Sequence, residues 1–545
     1  MNYLDFDKCA SYKNLQKLAA SGEKPDVSAF LTVKRVEKSS VSLGGGLYFN
    51  WAARAVDEKT LDALKALSEE QELIAKYRLL CEGEIINTTE NRLVLHHLLR
   101  CPDSRSVTGK NVIHENRDIG EFYQKELKRF SAFADKVRAG EIRPSADRAF
   151  SAVCQIGIGG SDLGPRAMVL ALQNWAKAEG AGSGGIKQLR PEFISNVDPD
   201  DASRICSDLP LNETLFVLVS KSGTTLETLT NELFVKDKLK KAGLDPAKHM
   251  VAVTSETSPL AHNPVYLDSF YIDDFIGGRY SSCSAVGGVI ISLVFGSDVF
   301  MEFLSGAHEA DRAALEKDIL KNPSLLDALL GVWERNFLGF PSTAVLPYSQ
   351  GLSRFPAHLQ QLDMESNGKR VNREGQALSY VTGPVIFGEP GTNGQHSFFQ
   401  LLHQGTDVIP LQFVGFTESQ LGDDIEVQGS NSQTKLNANL AAQIVAFAMG
   451  KKDTSNHKFA GAKDFPGGKP SSLIHGKRLT PKSLGALLAH FENKVMFQGF
   501  IWNINSFDQE GVQLGKVLAK KILDAKDGSS GDIVLDTYVK LLTLA

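Results

Sequence analysis

The sequence has little cysteine, and what it has is scattered. Cys9, Cys81, Cys101, Cys154, Cys206 and Cys283 are its six cysteines, and no two form a C-x-x-C pair. A secreted scaffold held by disulfides packs its cysteines densely into a short chain, so these read as reduced thiols in a cytoplasm. One glycosylation sequon is present, Asn87-Thr88-Thr89. The start, Met1 to Lys8, is nevertheless polar, carries Asp5 and Asp7, and lacks the apolar core of a signal peptide. Long apolar runs are also missing. The longest, Ala285 to Phe295, falls short of the about 20 residues a membrane span needs, so no membrane segment is expected. There is no basic excess either: 59 Lys and Arg stand against 64 Asp and Glu, a net charge of −5. That balance argues against a nucleic-acid partner, which calls for a basic face. An anionic ligand must then be held by a local site.

Several catalytic signatures are absent. There is no H-E-x-x-H, and the adjacent His96 and His97 point in different directions on any helix, so no metal is expected. There is no G-x-S-x-G elbow and no Walker G-x-x-x-x-G-K-[ST]. The loop Gly157-Ile158-Gly159-Gly160-Ser161-Asp162-Leu163-Gly164 has Asp162 where the dinucleotide fingerprint needs its third glycine. Nicotinamide dinucleotides and nucleoside triphosphates are therefore set aside, and no organic cofactor is expected.

What is present is an ordinary globular composition, 42% hydrophobic and 23% charged over 545 residues. Residues 1–120 read as mainly helical, with Leu61, Leu64 and Leu67, then Leu73, Ile74, Tyr77 and Leu80, at helical spacing. From 121 to 290 strand, loop and helix alternate. Strand candidates are Ala149 to Ile158, Thr214 to Val219 and Met250 to Val253. The cycle resumes in 291–515 with Thr343 to Leu346, Val385 to Phe387 and Val408 to Phe416, where Pro410 suggests an edge or a bulge. Such alternation implies parallel sheets covered on both faces. Gly461 to Ser472, rich in Gly, Lys and Pro, reads as an exposed loop. Helices are expected to fill the C-terminal part, broken at Gly528-Ser529-Ser530-Gly531, with 516–545 as a terminal arm. The fold class is α/β, with two doubly wound parallel-sheet domains and helical additions at both ends.

In such sheets ligands bind at the carboxyl ends of strands. Ser220-Lys221-Ser222-Gly223-Thr224-Thr225 follows one strand and precedes a helix. Its hydroxyls donate, Lys221 brings charge, Gly223 admits a close backbone, and the helix N-terminus adds free N–H groups. Thr224 and Glu227 also fit a capping box. This reads as a phosphate grip, with an ordinary capped loop as the other local reading. The Gly159-Gly160-Ser161 turn follows a neighbouring strand and can add backbone N–H groups; a simple tight turn fits it equally.

Four further segments are dense in functional side chains. Gly277-Gly278-Arg279 leaves a guanidinium free to meet an anion. Gln361 and Glu365 lie near a helix end, before Gly368, which could cap it. His396 falls in the first turn of a helix after Gly391-Thr392-Asn393-Gly394. Phe507 to Lys516 carries Gln509, Gln513 and Lys516 onto an amphipathic helix. Each residue taken singly also fits a surface, capping or packing role.

Together these segments resemble the glucose-6-phosphate isomerase (phosphoglucose isomerase) family. The resemblance runs from Asn87 to Lys516. It includes Asn87-x-Thr89-Glu90-x-Arg92-x-x-Leu95-His96, Gly157 to Pro165, Ser220 to Thr228, Gly277 to Ser281, Met364 to Lys369, Gly391 to His396 and Phe507 to Lys516. It implies two sugar-isomerase domains, a homodimer with shared active sites, and interconversion of glucose 6-phosphate and fructose 6-phosphate without metal or organic cofactor. It implies Arg279, Glu365, His396 and Lys516 as the catalytic set, with His396 serving the partner's sugar. Gly159, Gly160, Ser161, Ser220, Lys221, Ser222, Thr224, Thr225, Gln361 and Gln509 become substrate-binding residues. The chain departs from the family pattern at Ser222-Gly223, where Thr-Phe is common, at Gln513, where glutamate is common, and at Gly468-Lys469, where Asn-Arg is usual. Two other readings remain open: a sugar-phosphate sensor on the same fold, and an isomerase that also accepts mannose 6-phosphate. A sugar-phosphate amide transferase is disfavoured, because no cysteine follows Met1.

Overall fold

Two short apolar–polar alternations joined by Gly44, Gly45 and Gly46 open the sheet structure. Ser40–Gly44 (β1) and Leu47–Asn50 (β2) pair antiparallel. The segment expected to be mainly helical thus also contributes a hairpin. Next come Ala152–Ile156 (β3), Arg190–Ile194 (β4), Thr214–Val219 (β5), Met250–Thr254 (β6) and Ser269–Tyr271 (β7). They form one five-stranded, wholly parallel sheet in the order β4-β3-β5-β6-β7. β3, β5 and β6 are buried at every position, as expected for strands covered on both faces.

The second sheet is built from Ser342–Tyr348 (β8), Val385–Phe387 (β9), Leu411–Phe416 (β10) and Ser471–Gly476 (β11). These are mutually parallel in the order β11-β10-β8-β9. The hairpin extends this sheet through β2, which pairs antiparallel with β11. Two expectations are corrected here. Pro410 marks neither an edge nor a bulge. It sits just before β10, which is a central strand, and its carbonyl accepts the N–H of Ala344 at 3.0 Å. The loop read over Gly461 to Ser472 ends early: Lys469 to Ser472 are buried, and Ser471 and Ser472 begin β11, with the Ser471 N–H donating to Ala53 O at 2.9 Å. Composition marked a loop, but pairing with the neighbouring backbone took its last residues into the sheet.

The structure is a computed structural model that describes residues 3–20, 25–180, 188–455, 458–525 and 529–543. Met1 and Asn2, Gly528 of the expected C-terminal break and the last two residues of the terminal arm lie outside these. The chain forms two compact units, Met1–Ser506 and Phe507–Ala545. The second contains the helices Gln513–Leu523 and Ile533–Thr543. Within the first, Gly278–Phe295 is long and apolar enough to cross a membrane, but 94% of it is buried inside the protein, as a core helix is. The six cysteines are buried and unbridged.

Helix Pro481–Ile501 is buried on every side, so its polar residues need partners inside the protein. Asp327, on helix Pro323–Val332, supplies one set. It accepts from Gln412 Nε2 of β10 at 2.9 Å, and it faces Arg54 Nη1 at 3.3 Å, His490 Nε2 at 3.4 Å and Lys494 Nζ at 3.5 Å. Burial alone raises a carboxyl pKa, but Lys494, the His490 hydrogen bond and Arg54 outweigh it and hold Asp327 below the ordinary carboxylate range. A depressed carboxylate contributes stability that is present above its unfolded pKa and lost as pH falls through the folded one. Asp327→Ala should cost about 3–5 kcal/mol, because it takes the carboxylate from buried Lys494 and leaves Arg54 with Glu334 alone. Chemical denaturation of the purified variant checks this, and an unchanged midpoint would remove Asp327 as the tie.

Candidate active site

In the five-stranded sheet the chain leaves β3 towards β4 on one side, then returns beyond β3 to β5 and leaves towards β6 on the other. The crevice between β3 and β5 is therefore a topological switch point, where open α/β sheets bind ligands. The two candidate loops emerge there, Gly157 to Ser161 after β3 and Ser220 to Thr225 after β5.

The second loop is tightly folded. Ser220 is buried and its N–H donates to Val253 O at 3.0 Å, while Thr254 Oγ1 donates to Ser220 O at 2.8 Å. Gly223 has φ +66° and its N–H donates to Ser220 O at 3.2 Å. A Cβ there would meet Ser258 Oγ, so this position needs glycine on both counts. Ser222 and Thr224 are exposed and Thr225 half-buried. The expected capping box does not form. Helix Leu226–Lys241 starts one residue later, with Thr225 as an N-cap that makes no side-chain cap bond, and Thr224 Oγ1 donates to Ser222 Oγ at 2.9 Å instead. The helix N-terminus thus keeps first-turn N–H groups open to an anion. Lys221 Nζ donates to Ile276 O at 3.2 Å and lies 3.7 Å from Asp274. Burial lowers its pKa, with Asp274 acting in the other direction.

The first loop is pressed against the arginine loop. A Cβ on Gly160 would collide with the backbone of Gly278, which accounts for glycine at position 160. Ser281 Oγ spans it, donating to Gly160 O at 3.4 Å and to Gly278 O at 2.7 Å. Gln155 Nε2 donates to Ser161 O at 2.7 Å and holds the turn from behind.

Arg279 is 2% exposed. Its guanidinium stays charged, so it must be met by oxygen. Nε donates to Ser366 Oγ at 2.6 Å, Nη2 to Ser506 O at 2.6 Å, and Nη1 lies 3.5 Å from Glu365 Oε2. Tyr280 OH is 2.9 Å from the same Ser366 hydroxyl. Glu365 and Gln361 belong to one element, a π-helical turn over Gln360–Glu365 that continues helix Phe355–Leu359. Such turns are uncommon and recur at functional sites. Glu365 Oε2 is buried without a hydrogen bond, as is Gln361 Oε1. The nearest side-chain atom to a Cβ placed on Gly159 is Gln361 Nε2, at 3.4 Å. Gly368 does not cap the helix through a positive φ. Its N–H donates to Met364 O at 3.0 Å, and a Cβ there would strike that same carbonyl.

The structure thus brings Gly159, Gly160, Ser161, Gln361, Arg279 and Glu365 into one contiguous set, and gives the Ser220–Thr225 loop the other bank of the crevice. A carboxylate oxygen with an open lone pair beside a fixed positive charge can take up a proton and leave the resulting anion facing that charge. His396 stands apart. It ends the 3-10 turn Asn393–His396 and is exposed, and its neighbour Gln395 is fixed by Nε2 donating to Tyr348 OH at 2.8 Å. Among the described residues, no hydrogen bond or ion pair joins His396 to Arg279 or Glu365. Gln509, Gln513 and Lys516 lie in the terminal unit, around the 3-10 turn Glu510–Val512 and on helix Gln513–Leu523, and all three are exposed. Lys469, at the departure from the family pattern, is buried with Nζ donating to Asp407 O at 3.2 Å. Among the described residues, no three His, Cys, Asp or Glu side chains converge to hold a metal ion.

Sequence reading missed Ser366, Ser506 and Asp274. A serine hydroxyl, a main-chain carbonyl and an exposed-looking aspartate carry no signature of their own; only the cations that they meet mark them.

The model of the family described as phosphoglucose isomerase matches residues 50–537. A glucose-6-phosphate isomerase of Treponema denticola is 58% identical over 528 residues, which is 96% of this chain and 97% of that protein. One of Borreliella burgdorferi is 44% identical over 545 residues, 99% of each. The crystal structure of a glucose-6-phosphate isomerase from Chlamydia trachomatis superposes with a TM-score of 0.89 at 42% identity, over 99% of this chain and 100% of that one. With a matched family region spanning most of its length and relatives of this similarity from end to end, the chain belongs to the phosphoglucose isomerase family.

Proposed function

We infer that the chain interconverts glucose 6-phosphate and fructose 6-phosphate reversibly, a step of glycolysis and gluconeogenesis. The observation that carries this reading is the pairing of buried Arg279 with half-buried Glu365 beside the β3–β5 crevice, in a chain of this family. A phosphate grip alone would suit a sensor. A carboxylate with an unused buried oxygen next to a permanent cation suits proton transfer.

The sugar phosphate is gripped by Ser220, Lys221, Ser222, Thr224 and Thr225, with the Gly159-Gly160-Ser161 backbone, Gln361 and Gln509 along the sugar. The closed ring opens when a proton reaches the ring oxygen and another leaves the anomeric hydroxyl, and His396 and Lys516 share this step. Glu365 then takes the proton from C2, the electron pair moves into the C1–C2 bond, and the carbonyl oxygen becomes an enediolate oxygen facing Arg279. A proton then passes from the C2 hydroxyl to the C1 oxygen, the electron pair left on the C2 oxygen forms the new carbonyl, and return of the same proton from Glu365 to C1 completes the isomerisation. One carboxylate serving both carbons requires a cis-enediol, with both hydrogens on one face. A carboxylate is a weak base, with an ordinary pKa of about 4.3, so stabilisation of the enediolate by a desolvated guanidinium carries much of the work.

His396 is exposed in the single chain. That supports a homodimer in which it completes the site of the partner. The division into domains at 121–290 and 291–515, a cytoplasmic location and independence of metal belong to the same reading.

Three outcomes test it. In an assay coupled to oxidation of glucose 6-phosphate, the protein should turn over fructose 6-phosphate, undiminished by a chelator; no turnover would overturn the isomerase assignment. Glu365→Gln should lower kcat by about 10² to 10⁴, the usual worth of a general acid–base group, while sugar phosphate still binds in calorimetry. Retained turnover would take the base role from Glu365. Mixing His396→Ala with Glu365→Gln chains should restore activity through dimers that hold one intact site, and proven mixed dimers without activity would count against shared sites.

A further inference from the structure

The segment Asn87 to His96 carried much of the family likeness, yet none of its residues entered the reaction above. Its contacts suggest why it is there. At one end, Asn505 Nδ2 donates to Asn87 Oδ1 at 2.8 Å and to Thr89 Oγ1 at 2.7 Å. Asn505 directly precedes Ser506, whose carbonyl accepts Arg279 Nη2 and whose hydroxyl donates to Asn367 Oδ1 at 2.7 Å. In the middle, Glu90 Oε2 accepts from Asn87 Nδ2 at 2.8 Å and from Arg92 Nη1 at 3.1 Å. At the other end, Arg92 Nη2 lies 3.5 Å from Asp274 Oδ2, and Lys221 Nζ lies 3.7 Å from the other oxygen of the same carboxylate. The backbone follows the side chains: the Leu95 N–H donates to Phe275 O at 3.0 Å, and the His96 ring stacks on Tyr280 at 4.6 Å. An unbroken chain of charged and hydrogen-bonding groups therefore runs from the lysine of the phosphate loop, through Asp274, Arg92, Glu90, Asn87 and Asn505, to the carbonyl that holds Arg279.

We propose that Asn87–His96 is a strap that couples the phosphate grip to Arg279, with Asp274, Arg92 and Asn505 as positioning residues. Asp274 is shared by two cations. A phosphate drawing on Lys221 leaves the Asp274 carboxylate more fully to Arg92, which fixes the strap from that end. The fixed strap holds Asn505 and Ser506, and so the guanidinium, where the enediolate forms. Binding energy from the non-reacting phosphate is in this way used at the reacting carbons. Arg92 is half-buried and Asp274 exposed, so their pairing by itself is weak. Asn505 is 4% exposed, and its two donated bonds are the tighter link.

The inference rests on the isomerase reading, and the two fail separately: a wild-type protein without turnover sinks that reading, whereas an active protein lacking the coupling sinks only this one. The test is a double-mutant cycle on kcat/KM for fructose 6-phosphate with Lys221→Met, Asn505→Ala and the pair, alongside inhibition by inorganic phosphate. A strap predicts that the paired loss falls short of the product of the single losses by more than about threefold, beyond the scatter of independent sites. It also predicts that Asn505→Ala weakens phosphate inhibition, since coupling between sites is reciprocal. A residue that only supports the fold would lower activity without either effect. Losses that multiply to within about threefold, with phosphate inhibition unchanged, overturn the proposal. If Asn505→Ala does not fold, Arg92→Gln replaces it in the same cycle, with Arg92→Lys expected to restore the coupling.

Discussion

A guanidinium that cannot lose its charge, buried to 2% exposure, is the constraint around which this site is organised. Arg279 reaches its place on a six-residue 3-10 turn, Gly278–Cys283, that leads into the core helix Ala285–Phe295. Its oxygens come from elsewhere: Glu365 and Ser366 from the end of a π-helical turn in the second half of the chain, and Ser506 from beyond the long buried helix Pro481–Ile501. A buried charge without such partners costs several kcal/mol. Three distant segments are therefore held together by one side chain, and the carboxylate among them is the group to which the proposed function gives the proton transfer.

The crevice shows how backbone geometry and side-chain chemistry divide the task. Glycine at 160 lets two loops touch, where a side chain would strike the backbone of Gly278. That contact brings the turn after β3 against the loop carrying Arg279. Gly223 does a related job in the other loop, turning the chain back so that the Ser220 hydroxyl and carbonyl both serve inside it. Of the side chains that remain, Ser222 and Thr224 are exposed at a helix N-terminus without a side-chain cap, and Thr225 accepts from the Ser220 hydroxyl at 3.3 Å.

Beneath the site lies a second buried charge system, centred on Asp327. It joins Arg54 from the N-terminal segment, His490 and Lys494 from the buried helix and Gln412 from the central strand β10. Asp363, within the same π-helical turn as Glu365, is pushed up to about 6 by burial, with Lys494 opposing the shift. The floor of the site is thus polar and fully enclosed. Lys494 acts electrostatically on the turn that carries Glu365.

Local sequence was sufficient where a single element expressed its environment. Thr214–Val219 reads as a strand because a strand buried on both faces is an unbroken apolar run, and the loop after it reads as an anion grip because its residue types are chosen for donors. The sequence was silent where environment comes from elsewhere. Arg190–Ile194 is an edge strand, so it can carry Arg, Pro and Glu and look like a loop. The Ser40–Asn50 hairpin joins the sheet along the edge of β11, and Ser471 and Ser472 are buried by pairing with β10 and Ala53. Family likeness named Arg279 and Glu365, but residue spacing could not pair them, since a contact between remote segments has no periodicity. The sequence by itself determined the alternation of strands and helices and the chemistry of each loop. Tertiary structure alone decided which carboxylate meets Arg279, because that choice depends on where the two sheets bring their loop ends together.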